Sequence, residues 1–517
     1  MTDYPADTVT DLLRRGHETA PAIAAPGRLP LTHGALRQLA ARTVGRLNDL
    51  GVGRNDRVAI VMPNGPEMAT AFLAVAAGAT TAPLNPAYRA DEFAFYLDDL
   101  NARILIVQRG MDTPARAVAA ERGIPVVELT PGETAGDFDL TPGEGADPHA
   151  TAASRPANPG PAEPGDIALI LHTSGTTSRP KIVPLSHANT TASAYHIGEV
   201  LALTPDDTCL NIMPLFHIHG LIAAVLSSVA AGASVCCTPG FNAFRFFSWF
   251  EEARPSWYTA VPTMHQALLG LAARNKEVIA RGRLRLIRSS SASLPPPVMA
   301  ELEQAYGVPV IESYGMTEAS HQMASNPLPP QPRYAGSVGV AAGPEVAIMD
   351  EAGVIQPPGG LGEIVIRGRN VTAGYENNPS ANAQAFTDGW FRTGDQGMLD
   401  EAGYLRLTGR LKEIINRGGE KVSPLEVDAV LLDHPSVNQA VTFAIPHPKL
   451  GEEVGAAIVL CEGHAADEPA IRAFVSERLA AFKVPRKLVF LPELPKCATG
   501  KLQRIGLAKT LGLGGEP

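Results

Sequence analysis

Residues 166–181, DIALILHTSGTTSRPK, place a short apolar run directly before a loop rich in hydroxyl side chains. The run 166–171 predicts a buried strand, because it is short, apolar and followed by a turn signal. In the loop 172–181, small residues such as Gly175 would let backbone N–H groups approach a polyphosphate, and Lys181 would add positive charge. It is not a Walker loop, since no second glycine precedes the lysine at the required spacing. For this stretch alone, a polar turn without a ligand stays an alternative.

Around this loop, short apolar runs alternate with amphipathic stretches rich in alanine and leucine. The runs 57–62 (RVAIVM) and 103–107 (RILIV) predict further buried strands. This order indicates an α/β fold built from βαβ units with parallel sheet. Residues 131–165 are rich in Pro, Gly and Ala and predict a surface loop or linker. The uncharged stretch 220–237 predicts a buried helix followed by a strand rather than a membrane span.

The pattern changes near Gly409. Two short strands are predicted before it, at 362–368 and 403–410. A hairpin, three strands and one helix are predicted in the hundred or so residues after it, which is the size of one small domain. We therefore predict a domain boundary at 409–413.

Composition excludes several classes of protein. The chain has 517 residues with 43 Lys and Arg against 53 Asp and Glu, and its net charge of −10 argues against a nucleic-acid binder. Five cysteines without a CxxC pair indicate neither a disulfide framework nor a zinc ribbon. The first residues contain no apolar signal-peptide core, and the last residues, GLGGEP, carry no peroxisomal or lipidation signal. We expect a cytoplasmic protein that does not associate with a membrane; the oligomeric state is open.

Further motifs follow the phosphate-type loop along the chain. In the first of them, Tyr314 could stack on a base, Thr317 could contact phosphate and Glu318 could hold Mg²⁺. In the second, Asp395 could accept hydrogen bonds from ribose hydroxyls. The motifs are SYGMTE (313–318), GWFRTGD (389–395), GRLKE (409–413) followed by NRGGEK (416–421), and PKCATGK (495–501).

These five blocks, in this order, resemble the adenylate-forming superfamily, which includes acyl-CoA synthetases, peptide-synthetase adenylation domains and beetle luciferases. The resemblance covers nearly the whole chain. It implies a large N-terminal domain (1–409) of two parallel or mixed βα subdomains and a small β-barrel-like subdomain. A hinge (410–412) and a small mobile α+β domain (413–517) follow. The implied reaction has two steps, in which a carboxylate and ATP form an acyl-adenylate and CoA then displaces AMP.

The resemblance also implies roles for individual residues. Lys501 would bridge the carboxylate and the α-phosphate, where a cation offsets the repulsion of two anions. Thr317 and Glu318 would act beside it, with Glu318 as the Mg²⁺ ligand, and Lys412 would be the hinge. The residues implied to line the CoA tunnel are Arg417, Gly418 and Gly419. The residues implied to bind ATP or AMP are Thr173, Ser174, Gly175, Thr176, Thr177, Lys181, Ser313, Tyr314, Gly315, Met316, Thr317, Asp395, Arg410 and Lys501.

The segments expected to line the acyl pocket are polar. His217 and His219, two apart on an extended segment, would face the same side, and His321 follows in a third segment. Serines and histidines suit a small substrate with a second carboxylate, which an aliphatic pocket would reject. Structural imidazoles are the alternative for each histidine. Zinc is a poor explanation, because no Cys or further His lies at ligand spacing.

Longer strings, among them MPLFHIHGL, RSSSASLPP and SYGMTEASHQMASNPLPP, resemble the oxalate–CoA ligase branch of the superfamily. By that resemblance, the candidates for holding oxalate are His217, His219, Ser289, Ser291 and His321. ATP, Mg²⁺ and CoA would be the remaining participants. A CoA ligase for malonate, acetate or a small aromatic acid stays open. So do a stand-alone adenylation domain that loads a carrier protein and, less in keeping with a polar pocket, a luciferase-like oxygenase.

Overall fold

The computed structural model of the protein describes residues 6–143, 156–173, 180–496 and 502–514. Within these ranges the strands assemble into four sheets of nine, seven, five and five strands. The predicted site residues that lie outside the described residues are Ser174, Gly175, Thr176, Thr177 and Lys501.

Strands alternate with helices through the first part of the chain and form antiparallel hairpins later. In chain order the strands are β1 (Pro21–Ala25), β2 (Arg28–Thr32), β3 (Arg57–Val61), β4 (Thr80–Pro83), β5 (Ile104–Gln108), β6 (Val126–Pro131), β7 (Phe138–Pro142), β8 (Ile167–Thr173), β9 (Lys181–Ser186), β10 (Thr208–Asn211), β11 (Ser234–Cys237), β12 (Trp257–Ala260), β13 (Leu286–Ser289), β14 (Val310–Met316), β15 (His321–Ser325), β16 (Val340–Ala341), β17 (Glu345–Met349), β18 (Gly362–Arg367), β19 (Phe386–Thr387), β20 (Trp390–Leu399), β21 (Leu405–Arg410), β22 (Ile415–Arg417), β23 (Glu420–Val422), β24 (Val437–His447), β25 (Gly451–Leu460) and β26 (Lys487–Phe490).

Several helices begin at a capping side chain, as where the Ser186 hydroxyl accepts the backbone N–H of Asn189. The α-helices are α1 (Val9–Leu12), α2 (His33–Asp49), α3 (Pro66–Ala76), α4 (Ala90–Leu100), α5 (Pro114–Glu121), α6 (His187–Val200), α7 (Ser227–Ala230), α8 (Ala243–Ala253), α9 (Pro262–Ala272), α10 (Lys276–Arg281), α11 (Pro296–Tyr306), α12 (Pro379–Ala385), α13 (Pro424–Leu432), α14 (Glu468–Ser476) and α15 (Leu507–Thr510). A π-helix covers His219–Leu226, and 3₁₀ turns cover Ala273–Asn275 and Thr317–Ala319.

The seven-stranded sheet has the order β7-β6-β5-β3-β4-β8-β9. Its inner strands are parallel, and the edge strands β7 and β9 are antiparallel to their neighbours. The predicted strands at 57–62, 103–107 and 166–171 are β3, β5 and β8 and are confirmed. Both faces of β3 are buried, as expected where helices cover both sides of a parallel sheet.

The nine-stranded sheet has the order β16-β15-β14-β13-β12-β10-β11-β1-β2. The strands from β14 to β1 are parallel, so their carboxyl ends meet at one edge, where open α/β sheets bind ligands. Stretch 220–237 forms a buried helix and strand β11 as predicted, although the helix begins as the π-helix. Helix α3, all of whose residues are buried, packs against this π-helix and joins the two large sheets.

Two smaller sheets complete the fold. The antiparallel sheet of β17 to β21 is the small β subdomain that the resemblance implied. The last sheet combines β22 to β26 with helices α13 and α14 around its own apolar core, which includes Ile415, Val454 and Ile471. The α/β class and the large-plus-small architecture are thereby confirmed, and the limits 1–409, 410–412 and 413–517 stay predictions.

The interpretation of residues 131–165 as loop is wrong in one part. Strand β7 pairs with β6 there, with Phe138 and Leu140 buried and Asp139 and Thr141 exposed. The alternation of buried and exposed residues covers only a few positions, and the Pro- and Gly-rich residues around it favour the prediction of a loop. In the described parts of the chain, none of the helices combines the length and the apolar character that crossing a bilayer requires.

Candidate active site

Strands β8 and β9 hold the two ends of the phosphate-type loop together. Thr173, the last residue of β8, pairs with Lys181, the first residue of β9. The Lys181 ammonium lies 4.2 Å from the ring centre of Tyr375, at a cation–π distance. The two ends of the predicted loop, Thr173 and Lys181, are therefore adjacent. The Tyr375 ring determines where the Lys181 ammonium lies.

A tight hairpin between β14 and β15 carries the second motif. The 3₁₀ turn Thr317–Ala319 connects the strands, and Met316 pairs with His321 across them. A Cβ atom on Gly315 would lie 1.7 Å from the His321 carbonyl oxygen, so only glycine fits here. The hydroxyl of Ser313 donates to the Ser289 carbonyl at 3.4 Å, which fastens β14 to β13.

Asp395 is buried and bound on both carboxylate oxygens. The Tyr314 hydroxyl donates to Oδ2 at 2.5 Å, and the Arg410 guanidinium donates to Oδ1 at 2.9 Å. Asp395 and Arg410 are direct partners in the pairing of β20 with β21. The Asp395 carboxylate raises the pKa of Arg410, so the Arg410 guanidinium stays charged. Residues from three sequence motifs therefore meet in one cluster.

Glu318 is a second buried carboxylate, close to that cluster. Its Oε1 accepts a hydrogen bond of 2.7 Å from the Tyr375 hydroxyl. Burial raises the pKa of the Glu318 carboxyl above its ordinary value, and Arg410 and Lys181 oppose that rise. A buried carboxylate of this kind fits a hard cation, which would supply the missing positive charge.

The described residues contain no cluster of three or more Asp, Glu, His or Cys side chains that could hold a metal ion by themselves. A Mg²⁺ ion commonly takes one or two carboxylates and completes its shell with phosphate oxygens and water. Glu318 fits that binding mode.

Arg288, which the sequence analysis did not single out, is the centre of a separate polar pocket. It lies in β13, is fully buried, and has no ion-pair partner among the described residues. Its guanidinium reaches the His321 Nε2 and the Gln322 Oε1, both at 3.2 Å, and its Nε is buried without a partner there. Burial lowers the pKa of Arg288 to about 9, which leaves it charged at neutral pH.

Three of the predicted substrate residues lie around Arg288. His219 is buried, with its Nδ1 3.0 Å from the Ser291 hydroxyl and its Nε2 2.6 Å from the Thr259 hydroxyl. The His219 and His321 rings are 4.9 Å apart and inclined by 32°. Thr259 and Arg288 are register partners on β12 and β13, which places both on one face of the sheet. A cation, two imidazoles and hydroxyl donors therefore converge.

Two other predicted substrate residues are arranged differently. Ser289 neighbours Arg288 in the strand, so alternation directs it to the opposite face, where its register partner is Glu312. The Ser289 hydroxyl is buried without a hydrogen-bond partner in the described structure. His217 is partly exposed and accepts the backbone N–H of His219 on its Nδ1 at 3.3 Å.

The expectation that His217 and His219 share an extended segment is wrong. Residues 215–216 form a turn, Ile218 has helical backbone angles, and His219 opens the π-helix. Gly220 permits this turn, since a Cβ atom there would lie 2.4 Å from the Pro214 carbonyl oxygen. The His219 backbone N–H reaches the His217 imidazole because of this turn and not through strand alternation.

The residues implied for hinge and CoA lie in and after the turn that follows β21. Lys412 is exposed within that turn. Arg417 makes two hydrogen bonds to Glu453, at 2.6 and 3.0 Å, and this contact raises the pKa of Arg417. Gly418 and Gly419 form the β22–β23 turn with φ angles of 60° and 98°, which favour glycine. Among the described residues, no hydrogen bond or ion pair joins this hairpin to Glu318 or Asp395.

Sequence reasoning missed Arg288, Thr259 and Tyr375. Arg288 directly follows the apolar residues Leu286 and Ile287 at the end of a short strand-like run, a position that could have indicated a buried cation. Tyr375 follows a glycine in the otherwise unremarked segment TAGYEN, and no local signal marked it.

Comparison with known proteins adds an independent finding. Residues 14–376 match the AMP-binding enzyme family, and residues 426–501 match the AMP-binding enzyme C-terminal domain. The oxalate–CoA ligase of Arabidopsis thaliana is 46% identical over 507 residues, covering 96% of this chain and 98% of that protein. The oxalate–CoA ligase of Saccharomyces cerevisiae is 43% identical over 480 residues, covering 89% and 87% respectively.

A solved structure shows the same fold. The ATP-bound crystal structure of MatB from Rhodopseudomonas palustris has a TM-score of 0.87 with this chain at 30% identity, and 98% of each chain is covered.

Proposed function

The chain belongs to the AMP-binding enzyme family, and on that premise we propose that it is an ATP-dependent acid–thiol ligase that converts oxalate to oxalyl-CoA. ATP and CoA are co-substrates, and AMP and pyrophosphate are released. The names of the two oxalate–CoA ligases, at 43% and 46% identity, support the choice of acid.

The observation that carries the choice of acid is the charge of the Arg288 pocket. A buried guanidinium without a carboxylate partner is costly, and an anionic group of the substrate would offset that cost. Oxalate has one carboxylate to react and a second to be held, and the second needs a cation and hydrogen-bond donors. An aliphatic acid would leave Arg288 unpaired, so the pocket would reject it.

In the first half-reaction, an oxalate oxygen attacks the α-phosphorus of ATP. A new P–O bond forms, the bond between the α- and β-phosphates breaks, and pyrophosphate leaves with its electron pair. Thr173 and Lys181 hold the triphosphate, Asp395 accepts from the ribose hydroxyls, and Lys501 bridges the two reacting anions. Mg²⁺, held by Glu318, would neutralise charge on the phosphates.

In the second half-reaction, the CoA thiolate attacks the carbonyl carbon of the oxalyl-adenylate and AMP leaves. We propose that residues 413–517 turn about the hinge 410–412 between the two steps. This motion would withdraw Lys501 and bring Arg417, Gly418 and Gly419 toward the thiol. Such reuse of one site requires the Arg417–Glu453 pair to move as a unit with its sheet.

We also propose a cytoplasmic location. Cys209, Cys236 and Cys237 are buried, and Cys461 is partly exposed; all four are free thiols, as a reducing compartment would keep them.

The experiment that tests the proposed function is pyrophosphate release with ATP, Mg²⁺ and CoA across oxalate, malonate, acetate, octanoate and benzoate. We expect a strong preference for oxalate, with AMP formation that depends on CoA and needs no carrier protein. Preference for an apolar acid would contradict the role of the Arg288 pocket. Turnover only with a carrier protein would instead favour a stand-alone adenylation domain.

A further inference from the structure

Tyr375 lies between two functional residues that come from different sheets. Its hydroxyl donates to the Oε1 of Glu318 at 2.7 Å, while the Lys181 ammonium lies 4.2 Å from its ring centre. We propose that Tyr375 is a positioning residue that fixes Glu318 and Lys181 in a joint geometry for ATP with its Mg²⁺ ion. This inference rests on the proposed function, because it takes Glu318 as the metal ligand and Lys181 as a phosphate ligand.

The two contacts use different parts of one side chain. The hydroxyl occupies one oxygen of Glu318, which leaves the other oxygen of that carboxylate for the metal ion. The ring face attracts the Lys181 ammonium through its quadrupole. Because both contacts belong to one rigid aromatic group, a shift of Glu318 relative to Lys181 would weaken at least one of them.

The backbone of Tyr375 is itself held firmly. Its N–H donates to the Asn382 Oδ1 at 2.7 Å, and the Asn382 Nδ2 donates back to the Tyr375 carbonyl at 2.8 Å. Gly374, with φ of 136°, permits the close approach of Asn382. An asparagine that satisfies both backbone groups of one residue defines where its side chain begins.

The segment that contains Tyr375, residues 372–376, is hydrogen-bonded both to the turn that carries Glu318 and to strand β9, which begins at Lys181. The Thr372 N–H donates to the Glu318 carbonyl at 2.7 Å, on the metal side. The Glu376 N–H donates to the Ile182 carbonyl at 3.1 Å, and the Thr372 hydroxyl donates to the Pro184 carbonyl at 2.8 Å, both on β9. Segment 372–376 therefore joins the strand that begins at Lys181 to the turn that carries Glu318.

A tyrosine is chemically suited to this task. It is buried, and its hydroxyl is a hydrogen-bond donor that reaches the Glu318 carboxylate at 2.7 Å. Phenylalanine would preserve the ring under Lys181 but leave the Glu318 oxygen without its donor. Leucine would remove both contacts. The two variants separate the hydroxyl from the ring.

The test is calorimetric binding of ATP to the full-length protein, with and without Mg²⁺. For Tyr375→Phe we expect the half-saturating Mg²⁺ concentration to rise about tenfold or more, with little change in binding of ATP alone. For Tyr375→Leu we expect an additional loss, of about threefold, in binding of ATP alone. Tyr404→Phe is the matched control, because it removes a buried tyrosine hydroxyl that donates to the Pro332 carbonyl at 2.7 Å, away from this site.

A Glu318→Gln variant separates failure of the inference from failure of the proposed function. If wild-type binding does not depend on Mg²⁺, or if Glu318→Gln keeps that dependence, the assigned role of Glu318 is wrong. If both behave as expected but Tyr375→Phe matches Tyr404→Phe, the role of Tyr375 is wrong. Should Tyr375→Leu fail to fold, the comparison of Tyr375→Phe with Tyr404→Phe decides the inference by itself.

Discussion

The cluster of Tyr314, Asp395 and Arg410, which we propose binds the nucleotide and call the nucleotide cluster, differs from the Arg288 pocket in how its buried charge is compensated. In the nucleotide cluster, Asp395 is paired with Arg410 at 2.9 Å and with the Tyr314 hydroxyl at 2.5 Å. In the pocket, Arg288 hydrogen-bonds to His321 and Gln322, and no carboxylate of the described residues lies within ion-pair distance of it. One region is balanced before any substrate binds, and the other has a cation whose counter-charge must come from outside.

This difference indicates where selectivity lies. A paired cluster can hold a nucleotide that is the same in every turnover, and its pairs keep the geometry fixed. An uncompensated buried cation costs several kcal/mol in the free protein, by general estimates for buried ions. Such a cost is recovered only by an anion of the right size, so it discriminates among acids more sharply than an apolar pocket could.

The largest expected effect comes from removing the charge of Arg288. In Arg288→Met we expect kcat/KM for oxalate to fall about 10²- to 10³-fold, because the second carboxylate loses its cation. KM for ATP should change little, since among the described residues no hydrogen bond or ion pair joins Arg288 to Tyr314, Asp395 or Arg410. Steady-state kinetics with each substrate varied in turn measures both. Arg288→Lys keeps the positive charge but loses the planar guanidinium, so its kcat/KM for oxalate should lie between those of the wild type and Arg288→Met.

Stability provides the control for that variant. Since Arg288 lacks an acidic partner in the described structure, its replacement by methionine should not lower the free energy of unfolding, as measured by denaturant titration. A clear loss of stability together with unchanged oxalate kinetics would show that Arg288 is structural and would remove the contrast between the two regions.

A smaller change in KM for oxalate should distinguish Ser289 from Ser291, which the sequence analysis predicts to have the same role. Ser291→Ala removes the hydroxyl that orients His219 at 3.0 Å, and we expect KM for oxalate to rise about tenfold. Ser289→Ala should change it less than about twofold, because Ser289 shares its face with Glu312 and not with Arg288. The two KM values for oxalate, with KM for ATP as the internal control, check this. An equal rise in both variants would contradict the assignment of faces.

Local motifs allowed the residues proposed to bind the nucleotide to be picked out from the sequence. Tyr314, Glu318, Asp395 and Arg410 each stand in a short string with its own chemical signature, and all four lie in the site. The pocket required non-local information. Arg288 is buried because its strand, β13, lies between β12 and β14 in the sheet. The residues around Arg288 in the sequence do not show which strands lie on either side. Tyr375 was missed for the same reason, since its partners are 57 and 194 positions away.

The fold followed a similar division. Apolar runs of strand length identified β3, β5 and β8, because parallel strands buried on both faces are continuously apolar. The alternation in β7 was hidden by proline and glycine around it. The two-residue spacing of His217 and His219 predicts an extended segment, but the chain turns there. The turn depends on the close approach of Gly220 to Pro214, which residue spacing does not reveal.

The last prediction concerns stability rather than catalysis and involves Glu312, which lies on the face of the sheet opposite the pocket. It is register partner of Ser289, so it lies on the face opposite Arg288, and its Oε2 has no hydrogen-bond partner in the described structure. Burial raises the pKa of Glu312 to about 8. Two uncompensated ionisable groups on adjacent strands therefore remain separate instead of forming an ion pair.

The consequence is a specific pH dependence of stability. Between the ordinary carboxyl pKa of about 4.5 and about 8, the folded protein keeps the Glu312 proton and the unfolded chain loses it. Its contribution to stability is therefore complete below the lower value and is lost as the pH rises through the upper one. Glu312→Gln lacks this titration, so its melting temperature relative to that of the wild type should rise from pH 5 to pH 8 and then level off. A difference that stays constant over that range would mean that Glu312 is ionised in the folded protein, and the sheet would then contain opposite charges on its two faces.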